Sequence, residues 1–113
     1  MSTPTLEAID GLLAGTPDAD DVLRGTVAVL VAEPGVVWAA IGFVEGDAVA
    51  LGPVAGTPDE MRRLRVPIAF QGAVVGELWA DGEPDARLLE QIAERIAPQV
   101  LIGWDTGGEA WEA

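Results

Sequence analysis

Between residues 36 and 80 the chain passes through four apolar stretches, 36–44 (VVWAAIGFV), 48–54 (AVALGPV), 63–70 (RLRVPIAF) and 73–80 (AVVGELWA). Glu45-Gly46-Asp47 separates the first pair and Gln71-Gly72 the second. Connections this short join antiparallel neighbours, whereas a parallel pair needs a crossover of a dozen or more residues. The middle of the chain is therefore two β-hairpins. Between them, Gly56-Thr57-Pro58-Asp59 reads as a loop with a short helical turn toward Met61. Pro67 lies inside the third stretch, and a residue without an N–H places that strand at an edge, at a bulge or where pairing stops.

The flanks change period. Thr3-Pro4 is a helix start, followed by a stripe of Leu6, Ile9, Leu12 and Leu13 and a stop at Gly15. Thr16-Pro17 repeats the start signal. Asp18, Asp20 and Asp21 suit the positive end of a second helix, whose stripe of Val22, Leu23, Val27, Leu30 and Val31 predicts helix to about Ala32. Glu33-Pro34-Gly35 breaks it. After Asp81-Gly82-Glu83-Pro84, the positions of Leu88, Leu89, Ile92, Ala93, Ile96 and Val100 predict a third helix, with Pro98 expected to kink or end its ladder. The fold class is α+β, an antiparallel sheet of about four strands with N- and C-terminal helices packed on one face. Residues 1–103 read as one domain and 104–113 as an acidic Gly/Trp tail, with Trp111 either folding back over the sheet or left in solvent.

Composition narrows the chemistry. The 113 residues include 19 acids, 6 basic residues (all Arg), 0 Cys and 0 His, for a net charge of −13. That field opposes nucleic-acid phosphates and anionic membranes. Without Cys there is no disulfide, no thiolate metal site and no thiol nucleophile; without Lys there is no Schiff base. No cofactor and no metal site is expected. The N-terminal MSTPTLEAID lacks a basic region followed by an apolar run, so a cytoplasmic location is expected.

Strands alternate their faces. Leu64, Val66, Ile68 and Phe70 face one way with Val74, Leu78, Ala80, Val37, Ile41 and Phe43, toward the helices. The opposite face collects Trp38, Arg63, Arg65, Glu77, Trp79 and Asp81. Such a set is a ligand cleft, an interaction face, or a self-satisfied cluster of ion pairs and cation–π contacts. As a cleft, the arginines meet an anionic group, the indoles stack on an organic body and Asp81 takes an amine. Glu77 and Asp81 could also serve as an acid/base pair, but no nucleophile stands beside them.

Three stretches, WAAIGFVEGDAVALGPVAG at 38–56, VPIAFQGAVVGELWADG at 66–82 and DARLLEQIAERIAP at 85–98, together resemble a GAF domain. LGPVAG at 51–56 and Trp38 resemble the free methionine-R-sulfoxide reductases among them. The resemblance implies that the face bearing Trp38 is the ligand face. It also implies a long, cysteine-bearing lid between the hairpins. Here only TPDEMR (57–62) joins them. A family carboxylate before the VPI motif is replaced by Arg63. Of two acids on the next strand, one position holds Trp79 and the other keeps Asp81. Because thiolate attack on a sulfoxide needs a cysteine, the family's activity does not carry over. The expected role is a non-catalytic module acting by small-ligand binding or by homodimer or protein interaction. The alternative is an enzyme using Glu77 and Asp81 on a small polar substrate. A small polar or anionic molecule and a second copy are the expected partners; no nucleic acid or membrane is. GAF domains often dimerise through terminal helices, which implies Leu6, Leu13 and Ile92 as dimer-helix candidates.

Overall fold

The computed structural model describes residues 3–15 and 18–104. Its elements are α1 (Thr3–Gly15), α2 (Ala19–Ala32), β1 (Val36–Glu45), β2 (Ala48–Gly56), a 3₁₀ turn (Glu60–Arg62), β3 (Arg63–Phe70), β4 (Ala73–Gly82) and α3 (Ala86–Trp104). The sheet is antiparallel in the order β2-β1-β4-β3. The two hairpins lie side by side, joined through β1 and β4, and Pro67 lies on an edge strand, where its missing N–H is tolerated. The second start signal, Thr16-Pro17, lies outside the described residues. Asp18 performs the capping, its side chain accepting from the Asp20 N–H at 3.0 Å.

The helices cover one sheet face. Ile9, Leu23, Val27, Leu30, Ile92, Ile96 and Val100 meet Ile41, Phe43, Ile68 and Leu78 in one continuous core. Deleting a large buried side chain of this kind costs about 3–5 kcal/mol.

Two bulges correct the simple alternation. In β1, Val36 pairs with Gly82 and Trp38 with the adjacent Asp81, so Val37 is the extra residue. Val36 consequently enters the core, while Val37, expected there, is 44% exposed. In β4, Gly76 pairs with Ile68 and Val74 with Ala69, so Val75 is extra. Val75 packs on the core and Val74, expected on the helix side, is exposed. A bulge adds one residue to one strand and reverses the facing beyond it. Of the two outcomes expected at Pro98, a kink or an end, the helix does not end: α3 continues through it to Trp104, with Ala97 and Val100 buried on either side. Trp104 thus belongs to the helix rather than to the tail, and 105–113, with the expected fold-back of Trp111, lies outside the described residues. Ile92, a dimer-helix candidate, is fully buried between helix and sheet and has no surface to offer a second chain. Leu6 and Leu13 are half-buried against the same core.

Gly56 ends β2 opposite Trp38 with φ of +88°, and a Cβ there would strike the Val37 carbonyl and approach the Trp38 Cα at 3.0 Å. Gly56→Ala is expected to lower stability by about 1–3 kcal/mol in urea melts, since a side chain adds both backbone strain and a backbone collision.

Candidate functional site

Cross-strand register brings the six sequence-predicted residues together on the sheet face opposite the helices. One row reads Gly56, Trp38, Asp81, Arg63 from β2 to β3; the next reads Val54, Ala40, Trp79, Arg65. The third places Glu77 between Gly42 and Pro67.

Arg63 spans the sheet. Its strand lies two positions from β1, a distance of about 10 Å at ordinary strand spacing. The side chain reaches back across β4 so that Cζ sits 4.4 Å from the Trp38 ring centroid and 5.2 Å from that of Trp79. The guanidinium therefore roofs Asp81, whose side chain has 0% exposure. Arg63 Nε donates to Asp81 Oδ1 at 2.8 Å and Nη2 to Oδ2 at 2.9 Å. The backbone N–H of Asp59 adds a third donor to Oδ2 at 2.7 Å. Burial pushes the Asp81 carboxyl up, but the Arg63 hydrogen bonds, the Asp59 N–H and the Arg63 charge together hold it below its ordinary range. The hydrogen bonds to Asp81 hold the Arg63 guanidinium above its own ordinary value.

The second layer repeats the chemistry nearer to solvent. Arg65 Cζ lies 4.4 Å over the Trp79 ring. Glu77 Oε1 accepts from Arg65 Nε at 3.0 Å, Arg65 Nη2 at 2.5 Å and Trp79 Nε1 at 2.8 Å. Burial raises the Glu77 carboxyl, and the Arg65 and Trp79 donors outweigh it, leaving it lowered. Trp38, Arg63, Trp79 and Arg65 thus form an alternating stack of indole and guanidinium, with a carboxylate beside each cation. Both carboxylates are engaged by arginine.

The cluster is filled. Trp38 is only 6% exposed. Two surface hollows lie elsewhere, about 320 Å³ beside Pro67, Ala69, Glu90, Ala93 and Glu94, and about 500 Å³ between α1 and α2 around Ala8, Val29 and Ala32. Neither is lined by any of the six residues. No group of three or more potential metal ligands occurs among the described residues. No described helix is long and apolar enough to cross a membrane. Sequence reasoning missed the Asp59 backbone donor and Glu60, which sits 3.9 Å from Arg63 Nη1. Nothing in a one-residue pattern signals a backbone N–H aimed at a distant carboxylate.

The architecture has solved counterparts. A GAF domain from an Acinetobacter phosphoenolpyruvate-protein phosphotransferase superposes with a TM-score of 0.69 at 13% identity, over 96% of this chain and 100% of that one. The fold is GAF-like. Free methionine-R-sulfoxide reductases share it. That of Neisseria meningitidis, in complex with its substrate, gives 0.67 at 18% identity over 91% of this chain and 95% of its own. That of Staphylococcus aureus, also with substrate, gives 0.65 at 17% over 88% and 97%. No family model and no curated protein matches the sequence. Against this GAF-like frame the sequence contains 0 Cys, so the thiol chemistry of a reductase has no residue to perform it here.

Asp81→Ala is expected to destabilise the fold by about 3 kcal/mol, because it strands Arg63 over an empty buried site. Asp81 and Glu77 are both lowered in the folded state. Their stabilisation is therefore complete above the unfolded carboxylate pKa, about 4, and is lost as pH falls through the lower folded values. Urea melts between about pH 4 and pH 2 should show stability falling with acid, and Asp81→Asn should reduce that slope.

Proposed function

We propose that this chain is a non-catalytic module that acts by contact with a second copy of itself or with another protein, through the open face of its GAF-like sheet. The observation that carries this reading is the Arg63 side chain lying between Trp38 and Trp79 on the Asp81 carboxylate. A face completed by its own residues presents an outer surface that is already ordered in the free protein.

That surface has the chemistry of a contact site. Arg65 is 51% exposed yet held by Glu77 and Trp79, so its ordering cost is already met within the monomer. Leu51, in the row with Gly42 and Glu77, is 49% exposed, and Met61 in the connection is 93% exposed. Arginine and tryptophan are the residue types that dominate binding energy at interfaces.

The test is mass and affinity in solution. Native mass spectrometry and sedimentation velocity should show a ligand-free dimer, and Arg65→Ala should weaken self-association about tenfold or more. A stable monomer that captures nothing, or a dimer indifferent to Arg65→Ala, rejects the sheet face as the contact surface. Supplied with a dithiol reductant and free methionine sulfoxide, the purified protein should yield no methionine above the uncatalysed rate; catalysed turnover would refute the non-catalytic reading.

A further inference from the structure

Between the two indoles the structure holds a side chain bound as a ligand would be. The Trp38 and Trp79 rings are tilted at 48° with centroids 6.4 Å apart, forming a wedge around the Arg63 guanidinium. Asp81 closes the base with a two-oxygen fork that receives Nε and Nη2. Two aromatic faces and a buried carboxylate are the ingredients of an organic-cation receptor: the rings attract the cation's face and the fork matches a planar edge. Nothing in that recognition requires the guanidinium to be tethered at residue 63.

Two features make the tether exchangeable. Arg63 opens the edge strand β3 directly after the 3₁₀ turn, and that turn buries no side chain. Its charged contacts, Arg62 with Asp59 at 3.8 Å and with Glu83 at 3.1 Å, are exposed pairs of the weak kind. Local opening there uncovers little apolar core. A second anion also waits beside Arg63: Glu60 Oε1 lies 3.9 Å from Nη1, on a side chain 83% exposed. The guanidinium can pass from Asp81 to Glu60 without losing a counter-charge, and an incoming cation keeps Asp81 from being buried and bare, the state that carries the large penalty.

We propose that Trp38, Trp79 and Asp81 form a binding site for a guanidinium compound, occupied by Arg63 in the free protein and vacated toward Glu60 when the ligand enters. The net charge of −13 raises the local concentration of such cations. The exchange stands apart from the interaction reading, since it is measured on each chain whatever its oligomeric state.

The experiment follows the tryptophan indole N–H signals by NMR during titration with methylguanidinium chloride, against sodium chloride at equal ionic strength. The wild-type protein should show saturable shifts in Trp38 and Trp79 with millimolar affinity. Arg63→Gln, which removes the tethered competitor, should bind about tenfold tighter or more, and Arg63→Gln with Asp81→Asn should not bind. Glu60→Gln is a surface change that leaves the fold intact and should weaken wild-type binding severalfold by removing the landing carboxylate. A folded Arg63→Gln protein without saturable shifts overturns the receptor. Binding in that variant with none in the wild type shows Arg63 to be a permanent strut and overturns the exchange, as does an affinity unmoved by Glu60→Gln. Equal binding of tetramethylammonium would overturn the assignment to a planar guanidinium.

Discussion

A carboxylate with no exposed surface sets the terms for everything on the open face. Asp81 receives three hydrogen bonds, two from Arg63 and one from the Asp59 backbone. Burial alone would favour its neutral form, and a charge left unpaired at that depth is costly, so the fold has to deliver a cation to it. The cation comes from β3, whose first side chain crosses the neighbouring strand to make the contact. Because the same carboxylate holds the Asp59 N–H, it also fixes the path of the connection between the hairpins. One side chain on β4 thereby orders an indole on β1, an arginine on β3 and the loop that precedes it.

This arrangement explains how so brief a link between hairpins can serve a GAF-like sheet. An open sheet face bearing two indoles invites non-specific association unless something shields it. Here six residues, 57–62, are too few to spread over the face. The shielding comes instead from long side chains that lie flat, Arg63 over Asp81 and Arg65 over Trp79. Guanidinium suits this use because it stacks by its plane and bonds by its edge at once. A lysine could balance the charge of Asp81 but could not cover the indoles in the same way.

Much of this was legible from residue order. The turns at 45–47 and 71–72 imply the antiparallel hairpins, and alternation places five of the six site residues on one face because their positions, 63 and 65 on one strand and 77, 79 and 81 on the next, keep strict period two; Trp38 joins them through its pairing with Asp81. The two errors of facing share one physical origin. Val37 and Val75 are single-residue bulges, and a bulge changes the facing of its neighbours without changing their hydrophobicity, so Val36 and Val37, or Val74 and Val75, are interchangeable on paper. Pro98 does not end α3, because tertiary burial of the stripe outweighs one lost helical hydrogen bond. Ile92 was nominated by a family habit of helix pairing, while its own periodic position with Leu88 and Ile96 already marked it as core. Which partner each arginine takes was beyond reach, since period two supplies a face but not a diagonal.

Charge is unevenly distributed along the sequence. Residues 59–83, which supply the connection and most of the open face, contain five acids and three arginines, whereas the rest of the chain contains fourteen acids and three arginines. The segment that carries the stacked cluster is therefore close to balanced in an otherwise acidic chain. The field of the whole anion reaches about a Debye length, roughly 8 Å at physiological salt. Lowering the ionic strength lengthens that reach, and with it the pull on a cation, without altering a single hydrogen bond.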